Sequence, residues 1–305
     1  MKVIIIAAGV GSRLGDLTKN LPKPLLDVNG KSILEHQIEL FRKFGIEDIV
    51  IVTGHKKDKF RLKDVKYVHN PNYLNVEQAG SLMSARNEIV GNVIISFGDI
   101  IFDESILKQL LESNDELVLS TDQNWQKSYE QRTDVSQKFS DFVALKNKQI
   151  IKFFKNSEEF LGKYNIVEFI GLMKLSEIGS KKIIQKYEYL EKNQKGKFHY
   201  APSFKKAKII DLLEELRLKN INIKTKNIDG VWCEIDTPQD LEIAKTKYPK
   251  NPPLFKEALY YREIYNKHYP GRDEIIPYYW VPKWSGDITE PSARALNIYN
   301  KRIEK

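Results

Sequence analysis

VIIIAAGVGSRLGDLTKNLPKPLL, residues 3–26, opens with an apolar run from Val3 to Ala8 that suits a buried strand and is too short for a membrane span. A glycine-bearing loop follows at once. Gly9 and Gly11 let the backbone approach a ligand closely, and loop N–H groups can form an anion-binding nest. Arg13 adds a bidentate phosphate contact, while Lys23, held between Pro22 and Pro24, returns a point charge to the same place. Two common nucleotide loops are excluded by spacing. A Walker A loop needs Gly-Lys-Ser/Thr after four intervening residues, and a dinucleotide fingerprint needs a third glycine where Leu14 stands.

The rest of the composition sets bounds on class. The chain has 305 residues, 41% hydrophobic and 30% charged, which describes an ordinary globular protein with room for an added module. No run of eighteen apolar residues occurs and the N-terminus lacks signal-peptide order, so a cytoplasmic protein without membrane insertion is expected. The single cysteine, Cys233, excludes an internal disulfide and a cysteine-cluster zinc site. A net charge of +8 could suit nucleic acid, but the lysines are spread along the chain among acids, so no nucleic-acid partner is expected. A basic cleft for a small anion accounts for the excess equally well.

In chain order, residues 32–44 (SILEHQIELFRKF) have helical apolar spacing, with Ser32 and Glu35 placed for a capping box and Gly45 as a stop. Residues 48–53 (DIVIVT) read as a second buried strand, giving a βαβ unit and hence a parallel sheet. A third strand is expected at 65–69, a helix at 78–88 and a strand at 93–96. Gly98 and Asp99 then fall at the carboxyl end of that strand, where ligands sit in open α/β sheets, and a carboxylate there can hold Mg²⁺. Further on, the pattern predicts helix 104–111, strand 117–120, strand 168–175, helices 181–192 and 204–219, and an edge strand 221–227. Trp125 and Tyr129, four apart, share a helix face, for packing against the sheet or for a ligand. Gly171, inside its strand, marks either a bulge or a close approach to ligand. Near the end, WCEIDTP (232–238) puts Glu234 and Asp236 on one strand face before a helix starting at Pro238. Asp236 can therefore join Asp99 around magnesium or simply cap that helix.

Together, Gly9-x-Gly11-x-Arg13-Leu14, Pro22-Lys23-Pro24-Leu25, Phe97-Gly98-Asp99 and Glu234-Ile235-Asp236-Thr237-Pro238 resemble the nucleotidyltransferase superfamily that includes the sugar-1-phosphate enzymes. The ending Glu-Ile-Asp-Thr-Pro-x-Asp-Leu looks most like cytidylyltransferases of the phosphocholine type. The segment Trp125…Tyr129…Arg132-Thr133-Asp134 and the run 168–174 are similar to relatives that activate 2-aminoethylphosphonate. The resemblance implies a Rossmann-like α/β fold, a mixed, mostly parallel sheet flanked by helices over residues 1–248, and transfer from CTP to a small phosphorylated or phosphonate acceptor. It implies nucleotide binding by Ala7, Ala8, Gly9, Gly11, Ser12, Arg13, Gln78, Ser81 and Gly98, with Arg13 and Lys23 catalytic and Mg²⁺ on Asp99 and Asp236. Trp125, Tyr129, Glu168, Gly171 and Glu234 are the implied substrate contacts. Glu77-Gln78-Ala79-Gly80 departs from the asparagine and aromatics of the phosphocholine enzymes, which leaves base and substrate choice open.

Residues 249–305 form a Pro- and aromatic-rich extension that resembles the C-terminal tail of glutamine-dependent asparagine synthetases, through Tyr260-Tyr261-Arg262, His268-Tyr269-Pro270-Gly271-Arg272 and Pro282-Lys283-Trp284. That activity does not transfer, because the chain has no Ser-Gly-Gly-x-Asp-Ser loop and position 2 is lysine where the glutaminase cysteine would stand. A sugar-1-phosphate nucleotidyltransferase is the nearest alternative. A non-catalytic nucleotide-binding subunit is the alternative of another class, disfavoured because Arg13, Lys23 and the acids are all present. A homodimer stays open.

Overall fold

The computed structural model describes residues 1–133, 140–155, 160 and 162–248. Contacts divide the chain into Met1–Lys247 and Tyr248–Lys305, and the fold below is that of the first unit. The extension expected at 249–305 lies outside the described residues.

β1 (Lys2–Ala7) runs through the middle of a nine-stranded mixed sheet, with Val3, Ile4 and Ile5 wholly buried, as an uninterrupted apolar strand requires. β2 (Asp27–Val28) and β3 (Lys31–Ser32) make a small hairpin whose Asn29-Gly30 turn has both residues at positive φ, the pairing that Asn-Gly favours. It delivers the chain to α1 (Ile33–Lys43), where Ser32 and Glu35 form the expected capping box and Gly45 follows at φ 73. β4 (Asp48–Thr53) pairs parallel with β1, and β5 (Lys66–His69) lies parallel outside it. α2 (Gln78–Met83) is shorter than the helix expected at 78–88. The Ser84 hydroxyl donates back to Ser81 O at 2.6 Å, Ala85 leaves helical geometry, and residues 86–88 form a separate 3₁₀ turn.

β6 (Val93–Phe97) pairs parallel on the other side of β1, so β6-β1-β4-β5 is the parallel core. β7 (Ile100–Phe102) and α3 (Glu104–Leu111) lead to β8 (Leu117–Asp122) and the short α4 (Trp125–Tyr129). β9 (Phe142–Lys146) and β10 (Gln149–Phe154) form a hairpin that apolar periodicity alone does not announce. Its turn is Asn147-Lys148, both at positive φ. β11 (Asn165–Leu175) is the hinge of the sheet, pairing antiparallel with β6, β8 and β9, with a register shift between Phe169 and Met173. Gly171, at φ 82, lies in that shift and makes it the bulge reading of the sequence.

α5 (Glu177–Asn193) packs near α6 (Ile209–Leu218). The helix expected from residue 204 starts only at Ile209, because residues 204–206 are a separate 3₁₀ turn and Ala207 is extended. β12 (Ile223–Asn227) pairs parallel with β8, its lysines on the edge. β13 (Trp232–Glu234) pairs antiparallel with β7 as a separate ribbon, and α7 (Pro238–Lys247) closes the unit. Among the described residues no helix is long and apolar enough to cross a membrane.

Candidate active site

The site lies where β1 and β6 end, as parallel α/β topology dictates. Beyond Ala7 the chain enters the Gly9-to-Arg13 loop, in which Gly11 takes φ 72 and starts a 3₁₀ turn. A side chain at Gly11 would put its Cβ 2.9 Å from the Cβ of Lys23, so glycine is what allows Lys23 to pack beneath the loop. Thr18 fastens the loop by donating its hydroxyl to Gly11 O at 2.9 Å. On the neighbouring strand, Gly98 N donates to Ile6 O at 2.9 Å, and a Cβ there would strike that same carbonyl. This extends the ladder by one residue and delivers Asp99 into the cleft.

Two further acids arrive from the far end of the unit. The β7–β13 ribbon sets Glu234 opposite Ile100, and Ile235 N donates to Asp99 O at 2.9 Å. Asp236 does not cap α7. Thr237 and Asp240 do so: the Thr237 hydroxyl accepts from Asp240 N at 3.2 Å, and Asp240 Oδ2 accepts from the N–H groups of Asp236 and Thr237. Asp236 is therefore free to face the loop.

Four charged groups meet there. Lys23 Nζ lies 2.8 Å from Asp99 Oδ2 and 2.6 Å from Asp236 Oδ1, and Arg13 reaches that Asp236 oxygen at 2.7 Å. Burial pulls the Lys23 ammonium down, but Asp99, Asp236 and Glu234 outweigh it and raise its pKa. Burial likewise pushes Asp236 up, and Lys23 with Arg13 brings it below the usual carboxylate range. Glu234 goes the other way, raised by burial and by the neighbouring Asp236 and Asp99. Carboxylate oxygens of Asp99, Glu234 and Asp236 lie within 4.8 Å of one another, and buried Asp99 Oδ1 has no hydrogen-bond partner among the described residues. An all-oxygen set with one orphaned acceptor fits a hard divalent cation such as Mg²⁺.

Two adjoining cavities share Ser12, Arg13, Asp99 and Asp236. The first, about 180 Å³, also takes in Ala7, Gly9, Gly11, Lys23 and Gly98. The second, about 380 Å³, takes in Gln78, Glu168, Glu234, Phe97, Phe169 and Lys208. Most sequence-derived site residues are thus brought together, and five are not. Ala8 is buried beneath the loop, its carbonyl accepting from His55 N. Ser81 is buried against Asn70, which donates to its hydroxyl at 3.1 Å. Trp125 packs rather than binds: its ring lies 4.7 Å from that of Phe142 and its Nε1 donates to Ile166 O. Tyr129 is buried behind the cavity wall, donating to Glu168 Oε1 at 2.7 Å and contacting Ser140. Gly171 sits behind Phe97, whose ring a Cβ would meet at 2.4 Å.

Sequence reasoning gave no site role to three contributors. Arg132, 7% exposed, donates to Asp240 at 2.7 Å and to Glu234 at 3.4 Å, tying the α7 cap to the acid cluster. Trp232 lines the second cavity with its Nε1 held by Asp122 at 2.9 Å, and the same alternation that aligned Glu234 and Asp236 includes it. Lys208, just before α6, carries no sequence signal of its own.

Comparison with known proteins identifies the family and agrees with the fold. Residues 3–202 match the MobA-like NTP transferase domain. The chain is 29% identical to the CTP:phosphoglutamine cytidylyltransferase of Campylobacter jejuni over 256 residues, 80% of this chain and 98% of the relative. The CTP:phosphocholine cytidylyltransferase of Streptococcus pneumoniae superposes with a TM-score of 0.60 at 20% identity, covering 81% of this chain and 98% of that one, which speaks for the fold. A 65-residue segment is 52% identical to the asparagine synthetase of Gallus gallus, of which it covers 11%, in keeping with the resemblance read in the tail. With a phosphate-type loop, a lysine and three acids converging at the ends of β1 and β6, and a family match over residues 3–202, the chain belongs to the MobA-like NTP transferase domain family and is a nucleotidyltransferase.

Proposed function

We propose that this enzyme transfers a cytidylyl group from CTP to a phosphate or phosphonate oxygen of a small acceptor and releases pyrophosphate. The observation that carries the reading is Lys23 held between Asp99 and Asp236 beneath the Gly9-to-Arg13 loop. The choice of CTP rests on the Campylobacter relative, similar over nearly its whole length. In this reading the backbone of Ala7, Gly9, Gly11 and Ser12 holds the triphosphate, with Gln78 toward the second cavity, where the acceptor binds.

The acceptor oxygen forms a bond to the α-phosphorus while the bond from that phosphorus to the bridging oxygen breaks, and pyrophosphate leaves with the electron pair. The acceptor is already an oxyanion, so no general base is needed. Arg13 and Lys23 meet the negative charge and align the groups. Mg²⁺, held by Asp99 and Asp236, would supply further neutralisation of the phosphates when bound. We place the enzyme in the cytoplasm, where the buried thiol of Cys233 stays reduced.

The test is pyrophosphate release with Mg²⁺ across CTP, UTP, ATP, GTP and dTTP against phosphocholine, 2-aminoethylphosphonate and several sugar-1-phosphates. Release with CTP and a head-group acceptor is expected. Release confined to sugar phosphates, or to another nucleotide, would overturn the reading.

A further inference from the structure

The larger cavity contains two groups of opposite charge that the protein leaves uncompleted. Glu168 is 3% exposed; its Oε1 accepts from Tyr129, and its Oε2 has no hydrogen-bond partner among the described residues. Glu168 also stands outside the Asp99, Glu234, Asp236 group, so a cation bound there does not account for the idle oxygen. A buried carboxylate oxygen without a donor is costly, and a ligand that donates to it recovers that cost. Lys208 lines the same cavity and makes no ion pair among the described residues, whereas Asp141 is taken by Lys155 and Glu234 by Arg132.

We propose that the acceptor is a small zwitterion whose N–H-bearing cation is held by Glu168 and whose anionic group is held by Lys208, which shares the cavity with Arg13. The inference rests on the acceptor-cavity assignment above. Burial, followed by the positive Lys155, outweighs the nearby acids Asp141 and Glu77 and holds the Lys208 pKa below its ordinary value, a setting an anion relieves. A trimethylammonium group meets the same charges but donates nothing to Oε2. Glu168 therefore selects for the N–H group and Lys208 for the anion.

The experiment compares phosphoethanolamine, phosphocholine and ethyl phosphate, which differ in N-methylation or lack the nitrogen. Each is measured by pyrophosphate release with CTP and by calorimetric binding. The primary amine is expected to be preferred by roughly tenfold to a hundredfold in kcat/KM. Glu168→Gln should bring the amine-to-trimethyl ratio close to one. Lys208→Met should raise KM for all three acceptors by a similar factor with the KM for CTP unchanged, and Lys208→Arg should restore it. Equal use of the three acceptors, an unchanged ratio in Glu168→Gln, or an unchanged acceptor KM in Lys208→Met would overturn the proposal. If no acceptor turns over but the amine still binds and loses affinity in Glu168→Gln, cytidylyl transfer fails while the subsite stands. Neither turnover nor binding would overturn both.

Discussion

The ammonium of Lys23 and the guanidinium of Arg13 converge on one oxygen, Oδ1 of Asp236, at 2.6 and 2.7 Å. Two cations on one carboxylate oxygen keep Asp236 ionised in a place where burial alone would favour its protonated form. In the proposed reading Lys23 serves the phosphates as well as the acids Asp99 and Asp236 that hold it. Lys23→Met should lower turnover by roughly a hundredfold to a thousandfold. It should also tighten Mn²⁺ binding in the absence of nucleotide, because the ammonium no longer competes for Asp99 and Asp236. Electron paramagnetic resonance titration of free Mn²⁺ checks this, and unchanged or weaker affinity would show that lysine and cation do not share these oxygens.

Asp99→Asn removes charge without changing shape. Turnover should be lost while circular dichroism and melting temperature stay near those of the parent. Near-normal activity would remove Asp99 from the metal site.

The α7 cap, which adjoins the acid cluster, offers a stability test. Thr237→Ala should destabilise the enzyme by about 1 kcal/mol, the usual cost of a lost N-cap. Asp240→Ala should cost more, about 3 kcal/mol, since it also leaves Arg132, which is 7% exposed, with only the longer 3.4 Å contact to Glu234. Urea denaturation measures both, and equal losses would mean that the Arg132 contact adds nothing.

Gly171 combines φ 82 with a Cβ position 2.4 Å from the Phe97 ring. Gly171→Ala should destabilise by about 1–3 kcal/mol through backbone strain and overpacking. Phe97 lines the larger cavity, so the displaced ring should also raise the acceptor KM and leave the KM for CTP alone. Initial-rate measurements with each substrate varied separate the two effects.

Burial lifts the Glu168 carboxyl from 4.5 to about 7. Between those values the folded state keeps a proton that the unfolded state has released. The stability linked to this group is therefore full below about pH 4.5 and lost as pH rises through 7, a change on the order of 3 kcal/mol. Unfolding free energies from pH 5 to 8 should fall for the parent and stay flatter for Glu168→Gln. Parallel curves would contradict the shift.

The parallel core was legible because its signals are local. An apolar run followed by Gly9, Gly11 and Arg13, a Ser32/Glu35 capping box and a second apolar strand leave one arrangement, a βαβ unit with its cleft at the strand ends. The acids were legible because alternation along residues 232–236 groups Glu234 with Asp236, and both line the second cavity although β13 itself ends at Glu234. What escaped depends on distant partners. Trp125 and Tyr129 share a helix face as spacing says, but only the position of β9 and β11 decides that the face is packed rather than open. Arg132 gains its meaning from Asp240, 108 residues away, and no pattern around it announces that bond. The Asn147-Lys148 turn lacks the glycine that usually marks a two-residue hairpin.

The β7–β13 ribbon has a consequence in time. A ribosome delivers the loop, Lys23 and Asp99 within the first third of the chain, and all of them can settle into the sheet before Glu234 and Asp236 exist. The bond from Ile235 N to Asp99 O joins the early half of the site to the late half. In the proposed reading competence is the last property this unit acquires during synthesis, since a product broken off before Trp232 has the Gly9-to-Arg13 loop and Asp99 but lacks Glu234 and Asp236. Such a fragment is expected to spend no nucleotide, so that an incomplete copy would stay silent instead of becoming a faulty catalyst.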